Sequence, residues 1–328
     1  MFKIKLLTLV LNVFILVPTL AVAQDAPDFA TFLAGVKSEG ESKGLKPETL
    51  GLLDQLTPID RVIELDRRQP EFTATFAGYL KSIMKPERIA KGRKLMRENH
   101  ALMEAVGKKY HVQPRFIVAL WAIESGYGQS MGNYSVPQSL ATLAWEGRRA
   151  QFFRDELFNA LTIIDKGDVP AAKMVGSWAG AMGQCQFMPS TYLKYAQDWE
   201  GDGKRDIWSD RGDVLASTAN YLSQLGWQDD KGWGRPIRLP KGFDKKLISL
   251  DVKKSMKEWS KLGVTDAKGK KLPARPWPMS LVLADPDADP EDGPAFLITD
   301  NYRALRTWNR STLFALSVGH LADALGHR

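Results

Sequence analysis

The stretch WAIESGYG at residues 121–128 sets one carboxylate, Glu124, at the end of an apolar segment and directly before two glycines. Pro114, upstream, suits the first turn of a helix. The apolar residues after it recur at helical spacing: Phe116, Ile117, Leu120 and Ile123. Because glycine favours the end of a helix, the sequence predicts a helix over 114–125 with Glu124 in its last turn.

The predicted position of Glu124 bears on its protonation. The carbonyl end of a helix disfavours negative charge, and burial disfavours it further. Both effects are expected to raise the pKa of Glu124, as a general acid that works near neutral pH requires. Most single glutamates at helix ends are simply solvated, so the interpretation depends on what else lines the region.

A second stretch, GSWAGAMGQCQFMPS at 176–190, carries no charge. It offers hydrogen bonds and a stacking face through Ser177, Trp178, Gln184 and Gln186. No Asp or Glu occurs over 125–145 or 169–197, so Glu124 is the only local carboxylate if both stretches line one cleft. Such a cleft suits a neutral ligand rich in amides and hydroxyls, such as an N-acetylated sugar chain. The alternative is a tightly packed contact between glycine-rich segments.

Together the two stretches closely resemble the lytic murein transglycosylase B family, lysozyme-like enzymes that cleave the glycan strands of peptidoglycan. The resemblance rests on ALWAIESGYG at 119–128, GRRA at 147–150, GSWAGAMG at 176–183, QFMPS at 186–190, ANYL at 219–222 and WNRS at 308–311. It runs from about residue 28 to the end of the sequence. It implies a mainly α (α+β) fold, with a lysozyme-like catalytic core, an N-terminal helical lobe and a small β-rich insert.

The resemblance also implies a mechanism that needs one carboxyl group and no cofactor. Protonated Glu124 would donate to the glycosidic oxygen between N-acetylmuramic acid and N-acetylglucosamine, while the muramoyl acetamido group stabilises the charge at C1. Ionised Glu124 would then accept the proton of the C6 hydroxyl as that oxygen attacks C1. The expected product is a 1,6-anhydromuramoyl end.

Several other residues match positions of the family's cleft. Ser177 and Gln186 match sugar-binding positions, Phe187 and Tyr221 match aromatic positions that can cover a sugar face, and Asn309 matches a polar position near the acid.

A paired arginine motif and two departures complete the match. Arg148 and Arg149 are expected to engage the lactyl carboxylate or the peptide stem, the alternative being a surface pair. Trp308 and Phe314 stand where a relative has tyrosines, so hydroxyl contacts from those positions are expected to be absent.

The segment DWEGDGKRDIWS at 198–209 resembles a calcium loop, with acids at its positions 1, 3 and 5 and glycine at position 6. Position 12, usually a bidentate glutamate, is Ser209, and by the family resemblance a later aspartate would close the site. The candidate ligands for a structural calcium are Asp198, Glu200, Asp202 and Asp213. The alternative is an acid-rich turn capped by its own side chains.

The whole chain has 328 residues and a formal charge of +7, which favours an acidic polymer such as a cell wall as partner. It contains no recognised nucleic-acid module. Residues 1–23 are typical of a secretory signal, with Lys3 and Lys5, an apolar run and a small-residue cleavage site, AVA at 21–23. We therefore expect a periplasmic protein without a membrane anchor after cleavage, the alternative being a retained N-terminal anchor.

Beyond the signal, the sequence predicts an N-terminal helical lobe over 24–110, the catalytic core over 111–230, a small β-rich insert over 231–300 and a C-terminal helix over 301–328 that closes the core. Within them we expect helices over 151–165, 213–225 and 253–262, and strands over 279–284 and 295–299. The only cysteine, Cys185, is expected to be buried packing rather than a nucleophile.

The favoured function is a peptidoglycan lytic transglycosylase whose partners are glycan strands. The first alternative is a glycoside hydrolase of the lysozyme or chitosanase type, which would need a second carboxylate or a water-positioning group near Glu124. The second is a wall-binding protein without activity. A calcium sensor is a weaker alternative, because a single loop with a defective last ligand makes a poor switch.

Overall fold

The computed structural model describes residues 28–68, 75–291 and 293–326. In chain order the helices are α1 (Phe29–Ser42), α2 (Pro47–Gly51), α3 (Asp60–Arg68), α4 (Phe76–Ile83), α5 (Pro86–Glu98), α6 (His100–Tyr110), α7 (Pro114–Ser125), α8 (Val136–Glu146), α9 (Ala150–Asp165), α10 (Pro189–Tyr195), α11 (Arg211–Gln224), α12 (Met256–Lys261), α13 (Asp300–Trp308) and α14 (Thr312–Gly326). The strands are β1 (Tyr134–Ser135), β2 (Val175–Gly176), β3 (Gly234–Arg238), β4 (Thr265–Asp266), β5 (Ser280–Leu283) and β6 (Ala295–Ile298). The predicted signal at 1–23 lies outside the described residues, and none of the described helices is long and apolar enough to span a bilayer.

Helix α7 is the centre of the molecule, and the predicted helix over 114–125 is confirmed. Pro114 stands at its first position, where a missing N–H costs nothing. Its middle is buried on every side, against α5, α6, α11 and α14. Gly126 ends it in the left-handed conformation at φ 58°, and the N–H groups of Gly126 and Tyr127 bond back to the carbonyls of Ala122 and Trp121.

The N-terminal helices share a hydrophobic core with the segments that follow them. Leu33 and Val36 of α1 and Val106 of α6 belong to the same buried cluster as Phe116 of α7. In the described part of the chain, the predicted boundary at residue 110 therefore does not divide the core. Apolar side chains from both sides of it remove one another's surface from water.

The insert is a four-stranded antiparallel sheet in the order β4-β3-β6-β5. Strand β6 is buried on both faces, and its side chains alternate between two cores. Phe296 and Ile298 pack into the main core, whereas Ala295 and Leu297 pack into a smaller core with Trp259 of α12. This alternation fixes the insert to the helical body.

Most predicted elements are present near their predicted bounds. The helices over 151–165, 213–225 and 253–262 correspond to α9, α11 and α12, and the strands over 279–284 and 295–299 to β5 and β6. Strands β1 to β4 were not predicted, since β1, β2 and β4 are only two residues long and β3 contains a proline.

The predicted C-terminal helix over 301–328 is two helices in the structure. Helix α13 ends at Trp308, and Ser311 begins α14 by accepting a hydrogen bond from the N–H of Phe314 at 3.3 Å. The apolar face of α14 is buried, and it consists of Phe314, Val318, Leu321 and Leu325. The break between the two helices brings Trp308 to the end of α7.

Candidate active site

Glu124 lies at the carbonyl end of α7, as predicted, and the residue as a whole is half-buried while its carboxyl group is buried. Its Oε1 accepts a hydrogen bond of 2.7 Å from the indole Nε1 of Trp308. Burial raises the pKa of Glu124 to about 7, although the indole N–H works against that rise by favouring the ionised form. Near neutral pH this carboxyl group can therefore both donate and accept a proton.

Gln184 joins the two sequence stretches that were predicted to line one cleft. Its Oε1 accepts from Nε1 of Trp121 and its Nε2 donates to the carbonyl of Trp208, both at 2.7 Å. Its own carbonyl accepts from the Ser125 hydroxyl at 2.8 Å. Gly128 has φ of 81°, and a Cβ there would lie 2.4 Å from Gln184 Oε1, so glycine is needed for this approach. The end of α7 and the 176–187 loop are thus held together by an amide side chain.

The hydroxyl of Ser177 and the amide of Gln186 both form hydrogen bonds that hold the 176–187 loop in its conformation. Ser177 Oγ accepts from the N–H of Ala181 at 3.0 Å. Gln186 has φ of 50°, and its Nε2 donates to the carbonyls of Met131 and Gly183 at 3.1 Å and 2.9 Å. A sugar contact by Gln186 would therefore use its amide oxygen, and one by Ser177 its hydroxyl proton.

Four aromatic rings form a cluster beside Glu124. Tyr221 stacks on Tyr195 at 4.3 Å between centroids and lies 4.8 Å from the ring of Trp308. Phe187 packs against Tyr221 and Trp308 at 5.6 Å and 5.5 Å, but it is only 2% exposed. The prediction that Phe187 covers a sugar face is therefore wrong for this conformation. Phe187 supports the partly exposed rings, which include Tyr195, a residue that was not predicted.

In the structure Arg148 and Arg149 both bind Asp66, and their role in ligand binding stays a prediction. Nε of Arg148 donates to Asp66 Oδ2 at 2.6 Å, and Nη2 of Arg149 donates to Asp66 Oδ1 at 2.7 Å. The Asp66 side chain is 1% exposed and the arginines are 43% and 41% exposed. An unpaired buried carboxylate would raise the free energy of the folded state, so the two guanidinium groups stabilise Asp66 of α3. The same bonds connect α3 to the turn before α9.

Asn309 follows Trp308 in the chain and is exposed. Its Oδ1 accepts from the N–H of Ser311 at 3.0 Å, which shapes the turn between α13 and α14. The same residue lines a groove of about 830 Å³ together with Arg306 and Arg310, between α4 and the insert. Asn309 thus lies next to Trp308, which binds Glu124, and the Asn309 side chain accepts a hydrogen bond within the turn.

The predicted calcium ligands separate into two groups. Asp198 Oδ1 accepts from Gly201 N at 2.6 Å and its Oδ2 from Gly203 N at 2.8 Å, while Asp202 Oδ1 accepts from Lys204 N at 2.8 Å. The alternative of a turn capped by its own side chains therefore describes Asp198 and Asp202.

The other two predicted ligands, Glu200 and Asp213, come together with Asp210, so that carboxylate oxygens of all three lie within 4.8 Å of one another. Burial, followed by the charge of Asp210, raises the pKa of Glu200, and burial raises that of Asp213. Gly212 lets Glu200 approach α11, since a Cβ there would lie 2.2 Å from Glu200 Oε1. Crowded carboxylate oxygens are the donor set that calcium prefers. The calcium-loop pattern did not predict Asp210, although an aspartate just before a predicted helix is a usable signal for an N-cap.

Cys185 is buried, as predicted. Its Sγ accepts from the Thr218 hydroxyl at 3.4 Å, and burial raises the pKa of the thiol to about 12. A neutral buried thiol is packing and not a nucleophile.

A known protein family and several solved structures match this chain. A family described as "Transglycosylase SLT domain" matches residues 28–323. The chain belongs to this family. It is 33% identical over 211 residues to the membrane-bound lytic murein transglycosylase B of Escherichia coli K12, a match that covers 60% of this chain and 58% of that protein. The match thus spans less than two thirds of the relative's length.

Two solved structures extend the comparison to nearly the whole chain. SltB3 of Pseudomonas aeruginosa, in complex with NAG-anhNAM-pentapeptide, aligns with a TM-score of 0.85 at 42% identity, covering 90% of this chain and 79% of that one. The lytic transglycosylase Slt35 of Escherichia coli, in complex with calcium, aligns with a TM-score of 0.76 at 26% identity, covering 92% and 93%. The predicted fold class, mainly α with small sheets and lysozyme-like, is confirmed, as is the predicted family.

Proposed function

We propose that this chain is a lytic transglycosylase that cleaves the bond between N-acetylmuramic acid and N-acetylglucosamine in peptidoglycan, leaving a 1,6-anhydromuramoyl end. The observation that carries the proposal is Glu124, a carboxyl group with a pKa of about 7 at the end of the central helix. The complexes of SltB3 with NAG-anhNAM-pentapeptide and NAG-NAM-pentapeptide support it, since a relative is bound in one to the anhydro form of the muramoyl sugar and in the other to its ordinary form.

In the first step Glu124 acts as a general acid. Its proton passes to the glycosidic oxygen as the bond from that oxygen to C1 breaks, and the muramoyl acetamido oxygen stabilises the positive charge at C1. A pKa near 7 leaves a large fraction of Glu124 protonated at neutral pH, and so makes this donation effective.

In the second step the ionised Glu124 acts as a base. It removes the proton of the C6 hydroxyl as O6 attacks C1, which closes the 1,6-anhydro ring and restores the protonated acid. Water is not consumed. Burial and the Trp308 hydrogen bond are the influences on the pKa of Glu124, and no carboxylate of the described residues is among them. A hydrolase of the lysozyme type would need a second carboxylate or a group that positions water near Glu124.

We propose Ser177, Gln186, Tyr221 and Asn309 as contacts for the sugar chain. The hydroxyl proton of Ser177 and the amide oxygen of Gln186 suit acetamido groups, and the ring of Tyr221 suits a sugar face. The sequence of residues 1–23 supports a periplasmic location after signal cleavage. Removal of Lys3 and Lys5 with the signal lowers the formal charge from +7 to +5, which still favours association with an acidic wall polymer.

We further propose that Glu200, Asp210 and Asp213 hold a structural calcium ion. The cluster of three carboxylates supports this, as does the calcium complex of Slt35. The ion would offset the repulsion among the acids and fix the loop to α11, the helix that carries Tyr221. It would take no part at the reacting bond.

The test is mass spectrometry of peptidoglycan digested by the purified protein, with Glu124→Gln digested in parallel. Muropeptides that end in 1,6-anhydromuramic acid are the expected products, and they should be absent from the variant's digest. Reducing ends as primary products would make the chain a hydrolase. Binding of sacculi without any cleavage would make it a wall-binding protein.

A further inference from the structure

The indole of Trp308 is held in one orientation against the carboxyl group of Glu124. Its N–H donates to Oε1 at 2.7 Å. Its ring packs on Tyr221 at 4.8 Å and on Phe187 at 5.5 Å, and Phe187 is itself buried. Rotation of the indole away from Glu124 would break both ring contacts, so packing preserves the hydrogen bond.

An indole N–H can donate a hydrogen bond and cannot accept one. Oε1 of Glu124 must therefore act as the acceptor whether the carboxyl group is neutral or ionised. We propose that Trp308 is a positioning residue that confines the acidic proton of Glu124 to Oε2 and so sets the direction from which it is delivered. A hydroxyl group at this position would not impose such a choice, because it can also accept a hydrogen bond from a proton on Oε1.

This inference rests on the proposed function, and it assigns Trp308 a part in both of its steps. When Glu124 gives up its proton, negative charge develops on the carboxylate, and a donor already aimed at Oε1 stabilises it without reorganisation. When Glu124 acts as a base, the same bond leaves Oε2 to receive the C6 hydroxyl proton. Burial and the indole act in opposite directions on the pKa, so that Glu124 stays near 7 rather than higher.

Other titratable groups around α7 do not account for ionisation in this range. Titratable groups on the neighbouring elements include Lys91 of α5, Lys109 of α6, Arg211 and Tyr221 of α11, Cys185 of the loop, and His320 and Asp323 of α14. Burial lowers the pKa of His320, which therefore loses its proton on the acid side of neutral pH. Burial raises the pKa of Cys185 to about 12 and raises that of Tyr221, so both are neutral near pH 7. Lys91 lies 3.5 Å from the Gly126 carbonyl, Lys109 lies over the ring of Trp199 and Arg211 over that of Trp121. Asp323 accepts from Trp233 at 2.9 Å. The basic limb of a pH profile should thus report Glu124.

The first test is infrared difference spectroscopy at pH 5, with the Glu124 band assigned by subtraction of Glu124→Gln. A carbonyl oxygen that accepts a hydrogen bond absorbs at lower frequency, so the carbonyl stretch of protonated Glu124 should move to higher frequency in Trp308→Phe. The matched control is Trp233→Phe, which removes another indole bond to a carboxylate, 2.9 Å from Asp323. This control should leave the band in place. An unmoved band in Trp308→Phe would overturn the proposal.

The second test is the pH profile of kcat/KM. Trp308→Phe should lose about 10- to 100-fold in rate, the range of a hydrogen bond to a charged group. Its basic limb should also move to higher pH, because the group that favours ionised Glu124 is gone. Trp308→Tyr returns a donor and should move the limb back toward the wild type. A uniform loss of rate with the limb unmoved would reduce Trp308 to packing.

These two readouts separate failure of the inference from failure of the proposed function. If wild-type protein does not turn over peptidoglycan, the proposed function fails, and the infrared band still decides where the proton lies. A melting curve of each variant establishes that the compared proteins are folded.

Discussion

The end of α7 and the loop over 198–213 both hold carboxyl groups with a raised pKa, but their surroundings differ. Burial raises the pKa of Glu124 to about 7, and its hydrogen-bond partner is a neutral indole. In the loop, burial and the charge of Asp210 raise the pKa of Glu200, and the oxygens of three acids lie within 4.8 Å. Burial therefore raises the pKa in both places, and only in the loop does the charge of a neighbouring acid add to the rise.

A raised pKa therefore does not by itself identify a catalytic acid. An isolated carboxyl group keeps a proton that it can deliver, whereas crowded carboxylates attract a cation. Asp66 gives the opposite case. Burial would raise its pKa, yet the hydrogen bonds from Arg148 and Arg149 outweigh burial and lower it. What each acid can do therefore depends on the groups that surround its carboxylate.

The largest expected effect is a loss of turnover, and it results from substitution of Glu124. Glu124→Gln keeps the shape of the side chain and cannot transfer a proton, so activity should fall by about a thousandfold or more. A raised pKa means that the folded state binds the proton more tightly than the unfolded state, so Glu124 lowers stability as the pH rises from 4.5 to about 7, and the loss is complete above 7. The variant should therefore melt above the wild type at pH 8, with less difference at pH 5.

The control for that comparison is Asp210→Asn in the acidic loop, measured per folded molecule. It should keep turnover within a few-fold of the wild type. Substantial residual activity in Glu124→Gln, or an equal loss in the loop variant, would mean that the acid is misassigned.

The next effect is on stability at Asp66. Asp66→Ala leaves two half-exposed guanidinium groups without their buried partner and should cost about 1–3 kcal/mol in the free energy of unfolding. Because the pKa of Asp66 is lowered, its contribution is present above the unfolded pKa of 3.8 and is lost as the pH falls below it.

Chemical denaturation at pH 7 and pH 3 measures the change at Asp66. Asp54→Ala is the matched control, because it breaks an ion pair to Lys37 whose carboxylate is 62% exposed, and it should change stability by less than about 0.5 kcal/mol. If Asp66→Ala cost no more than this control, the two arginine bonds would not stabilise the fold.

The smallest effect is that of calcium on the melting temperature. With a weak dissociation constant of about 0.1 mM, millimolar calcium should stabilise the EDTA-stripped protein by about 1.4 kcal/mol, or roughly 2 °C. Asp213→Asn should abolish the shift and Asp202→Ala should keep it, because Asp202 caps the turn. A shift that survived Asp213→Asn would place the ion elsewhere, and no shift in the wild type would make the cluster an acidic turn only.

Sequence patterns could predict the features that depend on residues close together in the chain. The helical spacing and the two glycines predicted α7 and the position of Glu124, and the uncharged second stretch predicted the neighbouring loop. The bond from Trp308 to Glu124 joins residues 184 apart, and that from Arg148 to Asp66 joins residues 82 apart. No periodicity encodes such pairs, because they depend on how helices pack.

Residue chemistry explains the other differences. Trp308 was interpreted as the loss of a hydroxyl contact, but an indole N–H is also a donor, and it is this group that reaches Glu124. Phe187 was predicted as a sugar platform from its match to an aromatic position, and only the packed structure shows that it is 2% exposed. An aromatic residue in a motif does not reveal which of its faces stays open.

The most direct test of the account is digestion of peptidoglycan in water enriched in oxygen-18. If Glu124 serves as acid and then base while O6 attacks C1, the new muramoyl ends should carry no heavy oxygen. Their mass should be that of the 1,6-anhydro sugar in either kind of water. Heavy oxygen at C1 of newly formed reducing ends would show that water is the nucleophile, and that result would contradict the mechanism.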